Sequence, residues 1–140
     1  MHANILIASS FFMVLLVFFT LGVMFLRRVK AIRSGAVRVR HFKTYETESQ
    51  MPQKLVQASR HYKNLFEMPP LFHVAVLLVL GLQLQDGVVS ALAVLYCSFR
   101  LVHTVIHLGA NNVLHRMKFF GASCLVLFAM WLYIIGKTFL

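Results

Sequence analysis

Acidic residues are scarce in this chain: four Asp and Glu stand against fourteen Lys and Arg in 140 residues, a formal charge of +10. Most of its cations therefore cannot be neutralised from within. Cysteine is scarce too. Cys97 and Cys124 lie in apolar segments without C-x-x-C spacing, so they read as small buried hydrophobes rather than a redox or thiolate-metal motif. Internal repeats and low-complexity tracts are missing, and only "KTYETESQMPQK" resembles a flexible loop. Ten-residue segments of alternating polarity are also missing, which argues against a transmembrane β-barrel.

Long apolar runs are present instead. Hydrophobic residues make up 59% of the chain, and its mean hydropathy is +0.75. Ile5 to Leu26 is uncharged and spans roughly 33 Å as a helix, a full bilayer crossing. It is too long for a secretory signal peptide and lacks the basic leading region. Three further apolar segments follow: Leu65 to Leu84 interrupted by Glu67, Val88 to Leu108 interrupted by Arg100 and two histidines, and Phe119 to Leu140 with Lys137 near its end. The expected fold is an all-α, integral membrane four-helix bundle in a single domain over residues 1–140, with helices near 4–27, 57–84, 88–108 and 116–138.

The cations set the expected orientation. Ten of the fourteen Lys and Arg fall between Arg27 and Lys63, while Arg116 and Lys118 mark the connection from the third span to the fourth. Both connections are expected to face the cytoplasm, and both termini the other side. "RRVKAIRSGAVRVRHFK" begins where the first span leaves the membrane, so anionic lipid headgroups explain it better than nucleic acid does.

Polar residues inside the spans form stripes. Arg60, Asn64 and Glu67 are spaced i, i+4, i+7 and lie within about 60° of arc on one helix face. Arg100, His103 and His107 share a face of the third span, with Arg100 roughly 12 Å below its cytoplasmic end. Arg116 opens the fourth span at the same level. A charge facing lipid costs at least about 2.5 to 3.5 kcal/mol, so these groups should face the bundle interior. One internal reading is a clasp in which Glu67 pairs with Arg100 or Arg116 and fixes helix register. Yet Arg60, Lys63, Arg100 and Arg116 outnumber the single Glu67. The surplus points to an anionic ligand, with guanidinium forks suited to carboxylates and Glu67 to an ammonium. Pro69 and Pro70 should kink the helix beside Glu67.

"RHYKNLFEMPPLF" resembles the R-x-x-x-N-x-x-E-then-proline motif of the membrane-associated proteins in eicosanoid and glutathione metabolism, the MAPEG family. "RLVHTVIHLG" resembles that family's third-span signature, especially in its prostaglandin E synthase branch. The resemblance spans nearly the whole chain. It implies a homotrimer that binds glutathione as cosubstrate on the cytoplasmic side, between subunits. Arg60, Asn64 and Glu67 would hold glutathione, with Glu67 on its ammonium. Arg100, His103 and His107 would line the wall, and Lys63 stands where that branch has arginine. Arg27 or Arg28 resembles an arginine reaching in from a neighbouring subunit. Arg116 would stabilise the thiolate as the catalytic group, against a lipophilic electrophile or hydroperoxide arriving from the bilayer.

The chain also departs from that branch. His107 stands where the branch has tyrosine, and Met117 and Phe120 where it has hydroxyl residues, so prostaglandin synthesis is not expected. The expected activity is glutathione transferase or peroxidase chemistry, in a bacterial inner membrane. A non-catalytic MAPEG-like binding protein is the main alternative, and a small four-helix exporter a lesser one, since an exporter's membrane acid works best with few competing cations. No metal is expected. A bis-histidine haem is disfavoured because His73 lies about 9 Å further along its helix than Glu67, deeper than His103.

Overall fold

A computed structural model describes residues 1–38 and 51–139. The described residues form helices and their connections only: α1 (His2–Arg33), α2 (Gln53–Asn64), α3 (Pro69–Gly81), α4 (Gly87–Leu108) and α5 (Val113–Phe139). Four stretches are long and apolar enough to cross a membrane: 2–33, 53–81 (α2 with α3), 87–108 and 113–139. The protein is an all-helical membrane bundle of four spans. Most of the expected flexible loop, and the end of the basic stretch, fall in 39–50 and lie outside the described residues.

Which face each span turns inward is decided by side-chain size and polarity. Along α1 the buried positions are Leu6, Ser9, Met13, Leu16, Thr20, Met24 and Ala31, and the steps of three, four or seven residues mark one stripe. Phe11, Phe18, Phe19 and Phe25 are exposed on the other faces. Lipid is as apolar as phenylalanine, so inward and outward faces differ little in hydrophobicity, and close packing selects the smaller or polar residues. Buried Phe72 of α3 stacks on Tyr96 of α4, ring centroids 4.5 Å apart, in the middle of the core.

Several helix ends differ from expectation, among them the end of α3 at Gly81 instead of near residue 84. α1 continues to Arg33 instead of stopping near residue 27, because nothing in "RVKAIR" breaks a helix. It ends at Ser34, with Gly35 in the left-handed region (φ +71°) donating its N–H to Ile32 O at 3.0 Å, and Lys30 and Arg33 suit the negative end of the dipole. α2 and α5 begin earlier than expected, at Gln53 and Val113.

The second span is interrupted, and the kink expected at the prolines is a break over residues 65–68. Pro69 and Pro70 have no N–H to give and sit in the first turn of α3, where none is needed. The chain before them closes tighter turns: Phe66 N–H bonds Lys63 O at 2.9 Å and Glu67 N–H bonds Asn64 O at 3.3 Å. Glu67 thus projects from a break between two half-length helices.

Candidate functional site

α2, the break after it, α4 and the start of α5 meet around a cleft of about 350 Å3. Among the described residues its cations are Arg60, Lys63 and Arg116, its one acid is Glu67, and Asn64, His103 and His107 complete the polar lining. Met117 and Phe120 form the apolar wall. The cleft runs into a second depression of about 590 Å3 that shares Arg60, His107 and Arg116 and reaches Gln57 and Asn111. The two stripes read from the sequence therefore converge, as does Arg116.

The turn between α4 and α5 delivers Arg116. Gly109 ends α4 where any Cβ would lie 2.8 Å from Val105 O, so only glycine fits. Asn111 adopts a left-handed conformation (φ 53°), and Asn112 Oδ1 accepts the His115 N–H at 3.2 Å, a capping contact that starts α5. Arg116 Nη1 donates to Asn111 Oδ1 at 2.8 Å and lies 3.4 Å from His107 Nε2.

Arg100 lies one layer behind the cleft lining, with no exposed surface. Its Nη2 donates to Asn64 Oδ1 at 3.0 Å, and Asn64 Nδ2 donates to Glu67 Oε2 at 2.9 Å. The link between Glu67 and Arg100 therefore runs through Asn64, whose amide uses both ends. The guanidinium also sits 5.7 Å from the centre of the Phe120 ring, a cation–π distance.

Behind His103 and His107 stands a residue that spacing did not single out. His61 on α2 is fully buried, and its ring lies 4.8 Å from His107 and 5.5 Å from His103, centroid to centroid. It reaches Thr104 Oγ1 at 3.0 Å, and that hydroxyl in turn donates to Arg100 O at 2.8 Å. A signal was available: one residue past Arg60, His61 enters the bilayer at the depth of the last turns of α4, where His103 and His107 sit.

Arg27 lies elsewhere. It closes the end of an apolar groove of about 600 Å3 between α1 and α4, lined by Phe12, Leu15, Phe19, Leu101 and Val105 among others. Its guanidinium donates to Lys54 O at 2.7 Å and Leu108 O at 2.8 Å, tying α1 to the starts and ends of its neighbours. Arg28 is not among the residues lining the cleft or the groove. His73 has a local role, with Ser10 Oγ 2.6 Å from its Nδ1.

At the opposite end of α4, Asp86 caps the helix by accepting the N–H groups of Val88 and Val89, both at 3.0 Å. Its other oxygen takes the Tyr133 hydroxyl at 2.5 Å and the Lys137 ammonium at 3.1 Å. Partial burial alone would raise the Asp86 carboxyl, but these donors outweigh it and hold the group down at about 2.

Fold and site together define a four-span membrane protein with a cation-rich cleft at one end of the bundle and an apolar groove beside it. The MAPEG family profile matches residues 5–136, and the chain belongs to that family. No curated protein and no solved structure matches it. Membership places the chain among membrane proteins of glutathione or eicosanoid metabolism.

Proposed function

We propose that the cleft binds glutathione from the cytoplasmic side and activates its thiol against lipophilic electrophiles or hydroperoxides, as a MAPEG-type transferase or peroxidase. The observation that carries this reading is the composition of the cleft in a MAPEG chain: Arg60, Lys63 and Arg116 around a single carboxylate, Glu67. Glutathione has two carboxylates, one ammonium and a thiol, so three cations and one acid complement it. Arg60 and Lys63 take carboxylates, Glu67 takes the ammonium, and Asn64 holds Glu67 in place.

Arg116 is the catalytic group of this reading. A free thiol titrates near 8.5, and a guanidinium close to the sulfur in a water-poor cleft favours the anion. The thiolate then attacks the electrophile, forming the S–C bond as the leaving group departs with its electron pair. The apolar groove closed by Arg27 suits the lipophilic partner. Because groove and cleft lie on different faces of α4, a homotrimer that sets the Arg27 end of one protomer's groove, with Arg28 next to it in sequence, against another's cleft belongs to the same proposal.

A second reading rests on Met117 and Phe120, which bring no hydroxyl to the cleft. A thiol bound there without activation would make the protein a binding protein rather than an enzyme. Glutathione calorimetry on detergent-purified protein, followed by ultraviolet thiolate absorbance, separates the two. The enzyme reading expects binding that weakens in Glu67→Gln and a thiolate signal that disappears in Arg116→Ala. Binding without a thiolate signal supports the second reading, and absence of binding overturns both. Cross-linking to a trimer, and a carboxyl-terminal reporter that reads non-cytoplasmic, test assembly and orientation.

A further inference from the structure

Three buried histidines at the cleft, His103 and His107 in its wall and His61 behind them, form a cluster that glutathione binding does not use fully. His61, His103 and His107 are 0%, 2% and 5% exposed, and one ring nitrogen of each lies within 4.8 Å of those of the other two. Each ring also keeps a buried nitrogen without a partner among the described residues: Nδ1 of His61, Nε2 of His103 and Nδ1 of His107. Buried polar atoms are normally paired, so three orphaned nitrogens in one place call for a guest.

The surrounding bonds fix what two of those nitrogens present. Thr104 gives its hydroxyl proton to Arg100 O, so it accepts from His61 Nε2–H and leaves Nδ1 with a lone pair. His103 donates from Nδ1 to Arg116 O at 3.0 Å, which leaves Nε2 with a lone pair. His107 is held less firmly. Its contact with Arg116 is long at 3.4 Å, so binding through Nδ1 moves the ring proton to Nε2 and turns the Arg116 N–H away from it, with Asn111 at 2.8 Å still accepting from that guanidinium. An imidazole whose far nitrogen donates to a carbonyl or hydroxyl is the usual form of a metal-bound histidine.

We propose that His61, His103 and His107 bind a divalent transition-metal ion of the zinc class, with its fourth position open to the cleft. Three neutral imidazoles are ligands for zinc and its neighbours rather than for magnesium or calcium. With the three nitrogens no more than 4.8 Å apart, an ion between them lies at most about 2.8 Å from each, so each ring closes by at most about 0.7 Å to reach a normal Zn–N bond. His103 and His107 line the cleft while His61 does not, so the exposed side of the ion faces the cleft. The charged groups nearby are Arg100, Arg116, Arg60 and Lys63, opposed among the described residues by Glu67. A dication among these cations requires an anion at the fourth position, and a hydroxide or thiolate supplies it.

The proposal does not rest on the glutathione reading, and its test uses no glutathione. Protein carrying a tag without histidine is purified in detergent, stripped with chelator and titrated with Co2+. One Co2+ per chain, with the visible absorption of a four-coordinate nitrogen site, is expected. His61→Ala should weaken that binding more than about 100-fold, beyond the loss typical of an outer partner. Thr104→Val, which only releases the His61 ring, should cost about 10- to 100-fold. His115→Ala should bind as the parent does. Zn2+-loaded parent protein examined by X-ray absorption keeps the test open should His61→Ala fail to fold, with three imidazoles at about 2.0 Å expected. Absence of stoichiometric Co2+ binding, a His61→Ala variant that binds as tightly as the parent, or fewer than three imidazoles around zinc overturns the proposal.

Discussion

The two ends of α4 are both polar, and they are built in opposite ways. At its amino end Asp86 meets two backbone N–H groups, the Tyr133 hydroxyl and the Lys137 ammonium, and Ser90 donates to Asp86 O at 2.7 Å. Charge and hydrogen bonding close there. At its carboxyl end Arg100 is buried with Nε and Nη1 unpartnered among the described residues, where three histidines also each keep an unpaired nitrogen. A closed network stabilises a helix start, whereas an open one keeps binding capacity in reserve at a cost in stability. Only the second end borders the cleft.

The sharpest way to break this comparison is Arg116→Ala. It should lower turnover by about 10²- to 10³-fold, the scale of losing one preorganised donor to a developing anion, while thermal stability in detergent changes little. A loss of stability equal to that of an Asp86 variant would mean that the open end is only another structural clasp. Asn64→Ala comes next. It leaves Arg100 Nη2 only the longer 3.4 Å bond to the backbone carbonyl of residue 64 and releases Glu67, so about 1 to 3 kcal/mol of stability should go together with ligand affinity, read by calorimetry and thermal unfolding. Asp86→Ala should cost about 0.5 to 2 kcal/mol as a lost cap and leave ligand binding unchanged.

The smallest effect is a pH dependence. Asp86 titrates at about 2 in the fold against 3.8 unperturbed, so its stabilising contribution is complete above 3.8 and is lost as pH falls through about 2. Unfolding scans between pH about 4 and about 2 should show this slope in the parent and a flatter one in Asp86→Asn. An equal slope in both would remove Asp86 from the comparison.

The sequence showed the cleft more clearly than the layer behind it. Stripes at i, i+4, i+7 put Arg60, Asn64 and Glu67 on one face because helix geometry is local, and they line one cleft with His103, His107 and Arg116. Arg100 shares the stripe of His103 and His107, yet it is covered by the α2 break and by Phe120, which no spacing reveals. His61 falls outside the stripe of Arg60, Asn64 and Glu67, and only the packing of α2 against α4 buries it. The proline pair announced an interruption, but whether the helix would bend or stop depended on the turn bonds that Lys63 and Asn64 accept.

By itself the sequence determined four spans, their apolar length and the helix faces that carry charge, because hydropathy and the 3.6-residue period act within one segment. Tertiary structure alone decided that Arg27 closes an apolar groove apart from the cleft, that Asn64 stands between Glu67 and Arg100, and that His61 joins His103 and His107. Those facts depend on how far apart two helices pack and how each is rotated. In a bilayer, inward and outward faces are nearly equal in hydrophobicity, so rotation follows from the fit of small and polar side chains between helices.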